Sequence, residues 1–393
     1  MNRYRILTGI FCLLATGNVL AEEADTLKVV DVEEITVIAA PKENRKLREQ
    51  PAAVTLLSQQ DMQNAQVNSI KNLTSVVPNM FIPDYGSRLT SAVYIRGIGS
   101  RINTPAVGLY VDNIPFIDKS AFDFNYSDIE RIDVMRGPQG TLYGRNTMGG
   151  LIRVFTKSPF TYQGTDLMLS AATYNNYKAS VSHYHRISPK FAFSTNFFYE
   201  HKGGFFKNVA LNNERVDKDD EFGGRVRAIY LPSENLKLDF TLNYEYTNQG
   251  GYPYEYTGVT EGEEDRADYI GRIAYNHKSG YKRNLLNGGL NLEHQADNFI
   301  LSSVTGFQFL DDHMDLDQDF TEQNIYTMMQ KQNSKTLSEE LVLKSKPGRR
   351  WQWTTGAFGF YQWLHTDGPV VFHKEGINQV IEGNANNVFA GLS

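Results

Sequence analysis

From about residue 160 onward the chain alternates between apolar and polar positions. Leu236, Leu238, Phe240, Leu242, Tyr244 and Tyr246 fall on one side of an extended segment, with Lys237, Asp239, Thr241, Asn243 and Glu245 on the other. Phe191, Phe193, Thr195, Phe197 and Tyr199 stand in the same way opposite Ala192, Ser194, Asn196 and Glu200. A period of two marks strands whose two faces meet different surroundings. Noisier runs of the same kind lie near 167–174, 177–186, 223–231, 284–294, 299–310, 335–346 and 351–364. Together they predict about nine strands of roughly ten residues or more, a length that suits a tilted membrane-crossing strand.

The links between these runs sort into two kinds. Ser188-Pro189-Lys190, Pro232 to Asn235, Ala296-Asp297-Asn298 and Lys346 to Arg349 read as tight turns. The alternate links, 202–221, 248–283 and 311–334, are long and polar, and only Asn175-Asn176 on that side is short. Short turns at one end and long loops at the other predict an outer-membrane β-barrel, a segregation that a soluble sandwich has no reason to adopt.

The segment 51–157 has a different texture, that of a small mixed α/β domain. A helix is expected to start at Asp61, and Ser69 caps a second one running to Val76, with Pro78 as its stop. Short strands are expected at Val93 to Arg96, Val107 to Val111, Ile129 to Met135 and Leu151 to Thr156, punctuated by Gly137-Pro138-Gln139-Gly140 and Gly149-Gly150. Ahead of it, 22–50 is charged and irregular apart from the run Ile35 to Pro41, which reads either as an ordinary first strand or as a segment that adds itself to another protein's sheet edge. Residues 1–21 read as a secretory signal: Arg3 and Arg5, an apolar stretch from Ile6 to Ala15, and small residues suited to cleavage after Ala21.

Charge and composition narrow the function. The formal net charge is −6, and loss of Arg3 and Arg5 with the signal makes the chain more acidic still, which argues against a nucleic-acid partner. The one cysteine, Cys12, lies inside the signal, so the exported chain has none. Aromatic residues make up 12%, and no later run is apolar and long enough for a transmembrane helix. Gly97-Ile98-Gly99 lacks the third glycine of a dinucleotide loop, Gly137, Gly140 and Gly144 lack the lysine ending of a phosphate loop, and no nucleophile elbow occurs. His183 and His185 share a strand face but need further ligands to hold a metal, and Glu261, Glu263, Glu264 and Asp265 read as a solvated loop, with a site for a cation or cationic ligand as the alternative. No cofactor, metal site or catalytic residue is expected.

Three ordered blocks make the small domain specific. Val93-Tyr94-Ile95-Arg96-Gly97-Ile98-Gly99, then Val107 to Pro115, then Ile129 through Arg136-Gly137-Pro138-Gln139-Gly140-Thr141-Leu142-Tyr143-Gly144 to Val154, closely resemble the plug of TonB-dependent outer-membrane receptors. Leu337 to Leu343 resembles an early-barrel segment of the siderophore-receptor branch. The resemblance implies a signal peptide (1–21), a periplasmic tether (22–50), an α+β plug (51–157) and the N-terminal part of an antiparallel transmembrane β-barrel (160–393). It makes Glu34, Ile35, Thr36, Val37 and Ile38 the TonB box. It implies an outer-membrane transporter, not an enzyme, that takes in a scarce ligand using TonB and the proton-motive force. A ferric siderophore is the first choice, with cobalamin, thiamine, haem or an oligosaccharide as alternatives. Outward plug loops are expected to meet ligand through Tyr85, Arg88, Arg101 and Asn103, and a Tyr-rich loop through Tyr252 and Tyr254. About nine strands fall short of the roughly 22 of plugged transporters, so the chain is read here as a fragment or truncated product.

Overall fold

The computed structural model describes residues 53–67, 69–83, 92–101, 104–123, 128–258, 264–348, 350–378 and 381–382. The segment Glu34 to Ile38, expected to be the TonB box, lies outside them together with Tyr85, Arg88 and Asn103.

The small domain opens with β1 (Ala53–Ser58) and α1 (Gln59–Asn64). Ser58 rather than Asp61 begins that helix: Ser58 Oγ accepts from the Asp61 N–H at 3.2 Å, and the Asp61 carboxylate reaches back to the Ser58 N–H at 3.0 Å. Asp61 thus closes a capping box from the helix's third position. The second helical segment is a 3-10 turn, Ile70–Ser75, with Ser69 at its N-cap. Next come β2 (Met80–Phe81), β3 (Tyr94–Ile95), β4 (Val107–Val111), β5 (Ile114–Phe116), a 3-10 turn at Lys119–Ala121, β6 (Ile129–Arg136), α2 (Gly140–Tyr143) and β7 (Gly150–Thr156). β2 pairs only with β3, and the other five form a sheet in the order β1-β6-β7-β4-β5. The β4–β7 pair is parallel, and the rest are antiparallel.

Nine long strands follow: β8 (Gly164–Ala172), β9 (Asn176–Ser188), β10 (Phe191–Lys202), β13 (Asp219–Ser233), β14 (Leu236–Gly250), β15 (Gly280–Gln295), β16 (Phe299–Asp317), β17 (Tyr326–Ser345) and β18 (Thr354–Asp367). The short β11 (Lys207–Asn208) and β12 (Glu214–Arg215) form a hairpin inside one loop, and β19 (Val370–Phe372) pairs with the far end of β17. The long strands make an antiparallel meander whose edges are β8 and β18. Each expected run is found, and several are longer than their alternation suggests. The link at 311–334 shrinks to 318–325, because Asp311 to Asp317 and Tyr326 to Ser334 continue the ladder between β16 and β17.

The two faces are the reverse of those of a soluble sheet. On β14 the polar set is buried, with Asp239 at 4% exposure and Glu245 at 1%, while Phe240 on the apolar face is 40% exposed. Leu290, Leu337, Leu341, Phe197 and Val226 continue the exposed apolar face across the sheet. Apolar outward and polar inward is the pattern of a barrel wall in lipid. The small domain fills the polar side. Its core of Ile95, Val107, Leu109, Phe116, Ile132, Val134 and Val154 runs without a break into Leu285 and Leu310 of the wall.

Arginine at Phe240 is therefore expected to destabilise the bilayer-inserted protein by about 2–4 kcal/mol, read as a lower urea midpoint. An unchanged midpoint would mean that this face does not meet lipid.

Candidate functional site: the contact between the small domain and the wall

The segment 112–123 of the small domain runs along β15 to β18 from the short-turn end to the long-loop end. It begins at a two-residue turn in which Asp112 and Asn113 both adopt positive φ, 47° and 69°. That geometry suits Asp and Asn and fits the twist of the β4–β5 hairpin. The Asp112 carboxylate accepts from the Thr156 N–H at 3.0 Å and from the Thr156 hydroxyl at 2.6 Å, which leaves it facing Arg227 at 3.4 Å. Arg227 forks onto Asp239 of its neighbouring strand with two bonds of 2.9 Å and also donates to Thr156 Oγ1. Nearby, Arg225 of the wall meets Asp128 at 2.6 Å. Asn291 of β15 donates to the Asp112 carbonyl at 2.9 Å.

One step higher, Ile114 and Pro115 seat against two facing glycines, Gly289 of β15 and Gly306 of β16. A Cβ on Gly289 would stand 3.2 Å from Ile114 Cδ1 and 2.3 Å from the Thr305 carbonyl, so only glycine lets the hairpin approach this closely. Above that notch the Asp118 N–H donates to Gln308 at 3.2 Å, and the Asp118 carboxylate accepts from Ser334 and Gln362, both at 3.0 Å. Burial pushes the Asp118 carboxyl above its ordinary range, against the opposing pull of those two donors and of Arg145. At the top, the fully buried Arg283 of β15 pairs with Glu245 of β14 and donates to the carbonyls of Ser120 and Asp123. Arg225, Arg227 and Arg283 of the wall meet carboxylates and carbonyls of the small domain, while Arg145 of the small domain lies over the Phe360 ring of β18.

Arg283 lies three residues from the long-loop end of β15, which places the 119–121 turn on that side. Lys119, whose ammonium burial pushes down, donates to the Arg101 carbonyl at 2.6 Å, which places exposed Arg101 at the same end. Those loops are joined to one another. The Val209 N–H donates to the Ile273 carbonyl, Asn208 to the Tyr275 carbonyl, and Asn276 to Thr321 and Glu322. Tyr254, at the surface, lays its ring 4.3 Å from Phe320, whereas Tyr252 is buried within the joined loops. Tyr256 donates to Glu322, and burial followed by that carboxylate raises its phenol above the ordinary range. His183 and His185 stack on the outward face, 6.0 Å apart, and no group of three metal-ligating side chains occurs among the described residues.

The wall residues Arg225, Arg227 and Arg283 were not singled out by sequence reasoning. Their signal is present, since each is a cation on the inward parity of an otherwise regular alternation. The partner, however, lies 97 residues away for Arg225 and 163 for Arg283.

The family model described as the TonB-dependent Receptor Plug Domain matches residues 46–151. The small domain is a TonB-dependent receptor plug. The pesticin receptor of Yersinia pestis is 30% identical over 158 residues, 40% of this chain and 22% of that protein. The vitamin B12 transporter BtuB of Vibrio vulnificus is 30% identical over 155 residues, 37% of this chain and 24% of that protein. The ferric yersiniabactin uptake receptor FyuA from Yersinia pestis superposes with a TM-score of 0.72 at 18% identity, over 85% of this chain and 52% of FyuA. The ferripyoverdine receptor of Pseudomonas aeruginosa, solved with ferripyoverdine, gives 0.63 at 15% identity over 84% of this chain and 44% of that one. These two likenesses are of fold: a plug followed by an antiparallel barrel wall. The chain spans about half the length of FyuA.

Two variants test the contact. Arg227→Ala leaves buried Asp112 without its cation and Asp239 with Lys237 alone, and is expected to cost about 3–5 kcal/mol, measured by chemical denaturation. Gly289→Leu is expected to unseat the Ile114–Pro115 step, so that the plug becomes protease-sensitive. A plug as resistant as the parent's would overturn the notch.

Proposed function

We propose that the chain serves energised import of a scarce ligand across the outer membrane of a Gram-negative bacterium, and that the ligand is a ferric siderophore. The observation that carries this reading is a plug held along its 112–123 segment to the inner side of a barrel wall by buried polar bonds. A closed barrel filled in this way would pass nothing by diffusion, so passage would need work done on the plug. The reading assigns that work to TonB, which pairs with the box Glu34-Ile35-Thr36-Val37-Ile38 on the tether 22–50, after cleavage of the signal 1–21. The plug occupies 51–157 and the barrel begins near 160. No bond in the ligand changes. Relatives named for ferric yersiniabactin and ferripyoverdine favour an iron complex, and the vitamin B12 transporter keeps cobalamin as the second reading.

Ligand is expected at the long-loop end, where Arg101 and Tyr254 are exposed, with Tyr85, Arg88, Asn103 and Tyr252 completing the assignment. A guanidinium in a partly desolvated site contributes about 1.5–3 kcal/mol toward a charged acceptor. Arg88→Ala and Arg101→Ala are each expected to weaken equilibrium binding of a ferric siderophore to the purified receptor by roughly tenfold or more. Parent-like binding by both would remove them from the site.

Ile35→Pro takes an N–H from the strand that pairs with TonB. It is expected to abolish uptake of radiolabelled iron complex while leaving binding to whole cells intact. Uptake at the parent rate would sink the TonB-box assignment, and labelled cobalamin in a parallel arm would reveal the alternative ligand.

A further inference from the structure

The long-loop end carries a cavity that the contact with the plug does not use. It measures about 100 Å³ and lies between the β11–β12 hairpin, the approach to β13, the end of β14 and the loop that leads into β15. A space of ~10–15 Å³ holds one water, so this one takes a small polyatomic group.

Its lining is rich in cations and donors. Arg215, Lys218 and Lys278 stand around it against one carboxylate, Glu214. Glu214 takes one contact from each lysine, at 3.5 Å from Lys218 and 2.7 Å from Lys278. An ammonium has three N–H groups, so each lysine keeps two for another acceptor. Two further acids close by are committed to backbone. Asp217 accepts from the Phe205 and Phe206 N–H groups, and Asp317 from those of His277 and Phe320.

A buried donor completes the lining. Tyr275 is 1% exposed, and its hydroxyl has no hydrogen-bond partner among the described residues. Asn208 does not take the phenol proton: its amide nitrogen donates to the Tyr275 carbonyl, and its oxygen accepts from the Ala210 and Leu211 N–H groups. A Cβ on Gly251 would stand 2.6 Å from Tyr275 Oη and 2.8 Å from Ser279 Cβ, which places the phenol oxygen beside Ser279 in the cavity lining. Ser279 Oγ accepts from the Asp317 N–H at 2.9 Å and has its own proton left to donate. Burial, with the nearby acids adding to it, raises the phenol above its ordinary range, so it stays protonated. A buried hydroxyl without an acceptor is costly, and an acceptor in the cavity removes that cost.

We propose that this cavity binds a phosphate group. The phenol, the serine, four lysine N–H groups and a guanidinium offer more donors than the about four acceptor positions of a carboxylate use. A phosphate has further oxygens and more charge to engage them. The chemistry is the same for a free phosphate ion and for a phosphate on a lipid headgroup. An apolar shelf flanks the cavity: Arg215 lies over the Tyr174 ring, which packs on exposed Phe205, and Phe205 packs on exposed Phe206. The lining includes neither Arg101 nor Tyr254, so the site is independent of which ligand is imported.

Two arms test it, both comparing the parent with Tyr275→Phe. That variant removes only an oxygen that lacks a partner, so the fold is kept. In the first arm inorganic phosphate is titrated into the purified receptor and followed by phosphorus-NMR line width and thermal unfolding, against sodium chloride of equal ionic strength. In the second the receptor sits in phosphatidylcholine nanodiscs with or without phosphatidic acid. Saturable phosphate binding that Tyr275→Phe and Lys278→Gln each weaken about tenfold, the scale of one hydrogen bond to a charged group, is expected if the free ion is the occupant. Lys190→Gln, at the short-turn end, should leave it unchanged. A rise in unfolding temperature with phosphatidic acid alone, lost in Tyr275→Phe, identifies a lipid-borne phosphate. No response in either arm, or responses that chloride reproduces or that Tyr275→Phe leaves at the parent value, overturn the site.

Discussion

Hydrocarbon satisfies no hydrogen bond, and the rest of this structure follows from that. A chain in lipid must pair its own backbone, which a sheet achieves strand by strand, and it must turn apolar side chains toward the lipid. Along a strand the alternate side chains point the other way, so the cost of an oily outer face is an inner face lined by Asp239, Thr241, Asn243, Glu245 and Arg283. The plug meets that demand. Its Asp112, Asp118 and Asp128 carboxylates and its Ser120 and Asp123 carbonyls lie where wall donors need acceptors.

The same bonds hold the plug in place and restrain it. A buried ion pair adds modest net stability compared with well-packed apolar residues, yet breaking one by removing a partner is expensive. Under the proposed function, such a contact suits a part that stays put at rest and moves under load, because its polar groups can be rehydrated as water enters. The apolar step of Ile114 and Pro115 into the glycine notch sets the register, and the polar rungs above and below it set the strength.

The long loops form a second assembly. The described parts of loops 203–218, 251–279 and 318–325 share backbone and side-chain bonds, so they form one assembly. Burial of Tyr252 within it and exposure of Tyr254 on it separate two tyrosines that look equivalent along the chain.

Much of the architecture was legible from the residues alone. Strict alternation marks the strands because their side-chain period is two, and the turn residues Ser188-Pro189-Lys190 and Ala296-Asp297-Asn298 fix where they reverse. Ser58, Ser69 and the Asp112-Asn113 pair specify their turns through local hydrogen bonds and backbone preference. The blocks from Val93 to Val154 carry the plug's signature. Alternation alone does not say which face is buried, and it underestimates strand length at the loop end, where polar residues such as Asp311 and Asn333 keep the ladder without the pattern. The pairing of Arg225 with Asp128 and the seat of Ile114 on Gly289 were decided only by the tertiary structure. Each depends on parity and register across strands far apart in the chain, and a local pattern holds no record of which distant residue stands opposite.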